Sequence, residues 1–325
     1  MKKMVSLFAK RNELYTMLND RAKAYAAEKG IDFEWVPMDL YSVEACVEAL
    51  KDADCGLIDV EPYDKEIFSR ICEKNKLLIR FGVGYDAVNL EDATQYGIKI
   101  ARTQGANATA VAEYALLMIM TLRRKLMAGI QSVKSGSWEK AIGNETIGST
   151  VGILGFGAVG KNFAKLLQGF GCRVLAYDTY QDKDAAEELG VTFTDADTIF
   201  RECDSITVHL ALNEETRGFV SAKRLAMMKK DAVIVNTARG PVIDDEALIA
   251  ALKSHKIGGA GLDVFSQEPL PLDSEYLTLD NVIYSPHAAS QTVQSLWNIY
   301  KTAIDIADSF FTGKESELVK RCWLN

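Results

Sequence analysis

Val-Gly-Ile-Leu-Gly-Phe-Gly-Ala-Val-Gly, residues 151–160, is the stretch that decides the fold of this chain. An apolar run enters a Gly-x-Gly-x-x-Gly turn, and the residues after it read as a helix. Gly155 permits the tight turn, Gly157 lets backbone approach a pyrophosphate, and Gly160 allows close helix–strand packing. The N–H groups of Ala158 and Val159 then face phosphates at the positive end of that helix. Glycine turns are common, so the motif needs support from elsewhere. Asp178 supplies it at the end of the next apolar run, where a carboxylate bonds ribose hydroxyls. Together they predict a dinucleotide-binding unit.

Outward from this motif the chain alternates strands with helices. Downstream, strands are expected at 150–154, 173–177, 205–209, 232–236, 258–262 and 282–284, with helices near 158–169, 221–228 and 244–254. Upstream, apolar runs at 5–9, 33–36, 56–58 and 77–80 read as strands, with helices over 14–25, 43–50 and 63–73 between them. Such alternation predicts parallel sheets covered by helices on both faces. A long helix is expected over 107–132. It is apolar around much of its circumference (Val111, Tyr114, Leu116, Met118, Ile119, Leu122), so it needs burial on more than one side. A closing helix is expected over 291–311.

Three of the downstream runs end in chemistry. Ala-Val-Ile-Val-Asn-Thr-Ala-Arg delivers Arg239, Gly-Leu-Asp-Val-Phe-Ser-Gln-Glu delivers Glu268, and Asn-Val-Ile-Tyr-Ser-Pro-His delivers His287. An arginine clamps a carboxylate with two parallel hydrogen bonds. A histidine trades a proton near neutral pH, and a neighbouring carboxylate favours its charged form and holds its ring. Those are the tools for reducing a 2-keto acid with a hydride. Each residue alone has a plainer reading: a surface ion pair for Arg239, a cap ahead of Pro269 for Glu268, a structural histidine for His287. Of the other histidines, His255 sits at a charged helix end, and His209 ends a strand where packing or an adenosine contact is expected.

The order Gly-x-Gly-x-x-Gly, Asp, Thr-Ala-Arg-Gly, Gly-Leu-Asp-Val-Phe-x-x-Glu-Pro and Ser-Pro-His resembles the D-isomer-specific 2-hydroxyacid dehydrogenases. The likeness runs from about Leu77 to the last helix. It implies two Rossmann-like or flavodoxin-like α/β domains of parallel sheet with a cleft between them. The substrate domain would be discontinuous, residues 1–102 plus 292–325, around an NAD-binding domain at 103–291. It implies NAD as cofactor, a 2-keto/2-hydroxy acid as substrate, and Arg239, Glu268 and His287 as the catalytic trio. The backbone amides of Val83 and Gly84 would hold the substrate carboxylate. Thr109, Leu210, Ala211, Thr216, Thr237, Ala238, Arg239, Asp263, His287 and Ala288 stand at further cofactor positions. The stretch at 209–212 lacks the proline usual there, 287–289 lacks the usual glycines, and Asn89 stands where aspartate is common. The resemblance also implies a homodimer through the 107–132 region; a helix wedged between two domains of one chain accounts for its apolar surface equally well.

Other readings on the same scaffold are an NAD-sensing binding protein of the corepressor type, and a phosphite or formate dehydrogenase. Corepressors carry long flexible tails beyond the last helix, and formate dehydrogenases lack the glutamate partner, so Glu268 disfavours the latter. Composition narrows the partners. A net charge of −8 over 325 residues argues against non-specific affinity for nucleic acid or anionic membranes. The cysteines Cys46, Cys55, Cys72, Cys172, Cys203 and Cys322 form no C-x-x-C pair or metal-ligand spacing, so no metal site and a reducing compartment are expected. No secretory signal is visible, and a cytoplasmic protein is expected.

Overall fold

The computed structural model describes residues 1–38 and 40–325. The chain divides into two compact units, Met1–Asn107 with Thr292–Asn325, and Ala108–Gln291. The first unit opens with β1 (Lys2–Ser6), α1 (Glu13–Glu28), β2 (Ile31–Trp35), α2 (Val43–Leu50), β3 (Cys55–Ile58), α3 (Lys65–Ile71), β4 (Leu77–Arg80), α4 (Leu90–Gln95) and β5 (Lys99–Arg102). Its strands are all parallel, in the order β2-β1-β3-β4-β5. The interior strands β3 and β4 are buried at every residue, as strands covered on both faces must be, whereas the edge strand β2 alternates. β1 begins before Val5, and Leu7 keeps one more ladder bond to Leu57 before Ala9 turns into the left-handed region. Residues 103–107 group with this unit, where Thr103 and Gly82 bond each other reciprocally.

The second unit starts with α5 (Ala108–Arg123) and α6 (Leu126–Ser135). The expected single helix over 107–132 is therefore two. The break has a local cause: the Arg123 guanidinium is buried against the carbonyls of Asp204 and Glu145, and the Asn144 N–H caps the Arg123 carbonyl at 2.7 Å. With that carbonyl taken, Lys125 adopts a φ of 49° and the chain restarts in a new direction. α5 is buried along much of its length, but α6 buries none of its residues.

Then follow β6 (Thr150–Leu154), α7 (Ala158–Leu167), β7 (Arg173–Tyr177), α8 (Lys183–Glu188), β8 (Val191–Phe193), α9 (Ala196–Glu202), β9 (Ser205–Val208), α10 (Ala222–Met227), β10 (Val233–Asn236), α11 (Asp245–Lys253), β11 (Gly259–Leu262) and β12 (Val282–Tyr284). The sheet is parallel throughout, in the order β12-β11-β10-β9-β6-β7-β8. The chain starts at β6, runs outward through β7 to β8, then returns to β9 and runs the other way. This is the doubly wound order, and its switch point lies between β6 and β9. α5 and α7 cover one face, with Phe163, Leu167, Met118 and Ile119 in the core; α9, α10 and α11 cover the other, around Ile199, Phe200, Leu248 and Leu252.

The chain then returns to the first unit as α12 (Val293–Thr312) and α13 (Glu317–Lys320). α12 packs against α1, with Ile299, Tyr300 and Ala303 meeting the cluster of Leu18, Ala22 and Ala26. Trp323 pairs antiparallel with Ala101, and the Leu324 N–H bonds Ile100, so the final residues cover the β5 edge.

Candidate functional site

Because the second unit's strands are all parallel, their carboxyl ends fall along one edge of its sheet. In spatial order that edge carries Ser285–His287, Asp263, Thr237–Arg239, His209–Ala211, Gly155–Gly157 and Asp178. Residues scattered over more than a hundred positions in sequence thus become neighbours, at the end of the sheet where ligands bind in such folds.

The glycines of 155–160 divide their duties as the motif requires. A Cβ on Gly155, whose φ is 98°, would lie 2.7 Å from the His209 backbone, and one on Gly160 would lie 2.2 Å from the Gly155 carbonyl. Both are close-approach positions. A Cβ on Gly157 would meet no protein atom within 4 Å, so packing within the chain does not demand glycine there. Gly157 also opens α7 without a side-chain cap, unlike Asn12 at α1, Asp244 at α11 or Thr292 at α12. The first-turn N–H groups of Ala158 and Val159 are left for an anion. Asp178 is fixed by the N–H groups of Phe156 (2.6 Å) and Tyr180 (3.1 Å). These groups fit a dinucleotide: donors for the pyrophosphate, a glycine where it must come close, a held carboxylate for the ribose.

Other residues expected at the cofactor can be located too. Thr109, near the start of α5, bonds Asn162 of α7 at 3.3 Å. The Thr216 hydroxyl donates to the Ala211 carbonyl at 2.6 Å and closes the loop that Leu210 anchors in the core. His209 has its ring nitrogens beside the hydroxyls of Thr207 (3.0 Å) and Thr237 (3.4 Å), and burial pushes its pKa down to about 3. It is neutral at physiological pH, as suits a packing residue.

Arg239, Glu268 and His287 are held by one another's loops. The Asn236 side chain accepts from the Ala238 N–H and donates to the Arg239 carbonyl, shaping the turn that presents Arg239. Sequence reasoning missed Asn236; a polar residue closing an otherwise apolar strand was the available signal. Gly240 then lies so close to the Phe265–Ser266 backbone that a Cβ would fall 2.0 Å from the Phe265 carbonyl carbon. That contact ties the Arg239 turn to the Glu268 loop. Glu268 Oε1 accepts from the Phe265 N–H at 2.9 Å, and Oε2 lies 2.8 Å from His287 Nδ1. A carboxylate only accepts, so Nδ1 carries the proton and donates. Burial raises the Glu268 pKa, but the bonds to His287 and Phe265 and the charges of His287 and Arg239 outweigh it and hold the carboxyl below its usual range. His287 remains exposed on its other side.

Asp263 is 1 % exposed, and its carboxylate accepts from the Ser285 hydroxyl and the N–H groups of Ala288 and Ala289. Its side chain shapes the His287 turn. Val83 and Gly84 belong to the first unit, after β4, in a loop fixed by Gly82 (φ 128°) and the buried Thr103 hydroxyl. Asn89 caps α4 by accepting from the Asp92 N–H, so this departure from aspartate keeps a cap. Among the described residues no group of three or more His, Cys, Asp or Glu is placed to hold a metal, and no helix is long and apolar enough to cross a membrane.

A doubly wound sheet with a dinucleotide turn and a Glu–His pair beside an arginine, all at its carboxyl edge, describes an NAD-dependent oxidoreductase. Comparison with known proteins agrees. Residues 116–289 match the family described as D-isomer specific 2-hydroxyacid dehydrogenase, NAD binding domain. The chain is 36% identical over 299 residues to glyoxylate reductase of Korarchaeum cryptofilum, covering 88% of this chain and 89% of that one. It is 40% identical over 225 residues to hydroxypyruvate reductase of Thermotoga maritima, covering 68% and 72%. The structure of D-lactate dehydrogenase with NAD+ from Lactobacillus jensenii superposes with a TM-score of 0.82 at 25% identity, over 97% of this chain and 98% of that one. The chain belongs to the D-isomer specific 2-hydroxyacid dehydrogenases. It is an NAD-dependent enzyme that interconverts 2-keto and 2-hydroxy acids.

Proposed function

We propose that the chain reduces a small 2-keto acid, glyoxylate or hydroxypyruvate, with Arg239, Glu268 and His287 as its working residues. The names of its relatives support the substrate class. The observation that carries the residue roles is the 2.8 Å contact between His287 Nδ1 and a Glu268 carboxylate itself anchored on the Phe265 N–H. Arg239 clamps the substrate carboxylate with its planar fork and draws electron density from the carbonyl. Glu268 fixes the imidazole through Nδ1, which leaves Nε2 to give its proton to the developing alkoxide. NADH, when bound, supplies the hydride to the carbonyl carbon. In the direction of oxidation His287 takes the hydroxyl proton instead.

The working protein in this reading is a cytoplasmic homodimer. The apolar side chains of Leu126, Met127, Ile130 and Val133 on α6 are exposed, and they form the partner surface. The six free cysteines suit a reducing compartment. A spectrophotometric screen of NADH oxidation tests the substrate assignment against glyoxylate, hydroxypyruvate, pyruvate, phenylpyruvate and a branched keto acid. Glyoxylate or hydroxypyruvate should give the highest kcat/KM. A preference for the bulky acids overturns the substrate assignment, and no oxidation with any of them removes the catalytic reading as well.

A further inference from the structure

His287 stands in a backbone conformation that few residues with a side chain adopt. Its φ is 51°, in the left-handed region, which costs a non-glycine residue roughly 1 kcal/mol or more unless its surroundings impose it. The surroundings here do so completely. The His287 N–H donates to the Asp263 carbonyl at 2.8 Å and to the Ser285 carbonyl at 3.0 Å. The next two N–H groups, of Ala288 and Ala289, donate to the two oxygens of the Asp263 carboxylate at 2.8 and 2.9 Å. The Ser285 hydroxyl donates to the first of those oxygens at 2.5 Å. The buried carboxylate is thereby a template on which residues 285–289 are wound.

We infer that Ser285 is a positioning residue for His287, acting by locking the Asp263 carboxylate in the one orientation that winds the turn. The inference rests on the reading of His287 as the acid–base residue. Asp263 alone could rotate about its terminal torsion, which is soft and roughly two-fold. The Ala288 and Ala289 amides each hold one oxygen, and the Ser285 hydroxyl adds a second bond to the oxygen that Ala288 holds, so a rotation has to break all three together. Pro286 has no N–H to offer, so between the end of β12 and His287 the Ser285 hydroxyl is the donor to this carboxylate. Losing it leaves a buried carboxylate with one charge-assisted bond fewer and releases the strained φ. The imidazole then meets Glu268 and substrate less often in the productive geometry, which charges the loss to kcat and spares NADH binding.

Ser285→Ala, Ser285→Thr and both changes in a His287→Gln background test this. The kcat of Ser285→Ala should fall on the order of tenfold, the scale of one charge-assisted hydrogen bond, at unchanged NADH affinity by fluorescence titration. Ser285→Thr, which keeps the hydroxyl, should restore most of it. In the His287→Gln background Ser285→Ala should cost nothing more, because a positioning residue acts only through the group it positions. An unchanged kcat in Ser285→Ala, an equal loss in Ser285→Thr, or a further tenfold loss on top of His287→Gln overturns the inference. So does a Ser285→Ala protein that no longer binds NADH, since its serine would then be supporting the whole unit. If His287→Gln itself turns over normally, it is the acid–base reading that fails.

Discussion

The 2.8 Å pairing of Glu268 with His287 ties the proposed chemistry to the ionisation of Glu268. Glu268 titrates below its usual range, so the carboxylate and its hold on the imidazole persist through neutral pH and are lost as pH falls through that lowered value. Under the proposed roles, kcat should therefore fall as pH drops through that lowered value, where the protonated carboxyl releases its hold on the imidazole. Glu268→Gln keeps the shape but has no carboxyl to titrate, so this acid limb should vanish and kcat should drop at neutral pH. An acid limb that stays in the variant would show that it does not come from Glu268. Asp178 sets a second property. Its carboxylate is pinned by the Phe156 and Tyr180 N–H groups and so cannot swing away from a 2′-phosphate. Of the cations nearby in sequence, Arg173 opens β7 at its other end and pairs with Glu202, Lys161 is paired with Asp182 at 2.5 Å, and Lys183 is exposed. NADH should be preferred over NADPH by on the order of a hundredfold in kcat/KM, through like-charge repulsion. Equal values would mean that a lysine reaches the phosphate.

Among the elements, α7 separates a glycine that packing requires, Gly160, from one that it does not, Gly157. Gly160→Ala forces a Cβ against the Gly155 carbonyl, and this overpacking should lower stability by about 1–3 kcal/mol. Gly157→Ala meets no protein atom, so its melting temperature should hold while NADH binding weakens at least several-fold. Thermal denaturation beside NADH titration tells the two apart; two variants that behave alike would sink this division of labour. The elements also show what the sequence made legible. Motif-bearing strands such as 150–154, 173–177 and 282–284 were readable to the residue because apolar runs and turn glycines bound them. β5, β8, α4, α8 and α9 were not, being three to seven residues long with too few turns to show a period. Their caps were the missed signal: Asn89, Asp182 and Asp195 each accept from the N–H three residues on. Within the candidate site, Arg239, Glu268 and His287 were legible from strand ends. Ser285, Asn236 and the packing role of Gly240 were not, because tertiary contacts define them. The break at Lys125 was hidden for the same reason, its cause being a loop some twenty residues away.

At the scale of the molecule, the exposed face of α6 bears on assembly. Ile130→Glu with Val133→Glu places charge on that face without touching a buried residue. Sedimentation should show a dimer for the natural chain and a monomer for the double variant, since a charge desolvated in an interface is costly. A natural chain that sediments as a monomer at micromolar concentration would place this apolar surface outside any dimer.

The discontinuity of the first unit has a consequence for how the chain comes into being. A ribosome delivers β1 at residue 2 and completes the whole seven-stranded unit by Gln291, before any of α12 exists. Until Ile299, Tyr300 and Ala303 emerge, Leu18, Ala22 and Ala26 lack the helix that shelters them. The later-encoded unit is thus the first able to finish, and the earlier-encoded one waits with its apolar flank uncovered. A nascent chain of this protein therefore carries an open apolar flank, a site for aggregation or chaperone capture, from the synthesis of α1 until α12 is complete at Thr312.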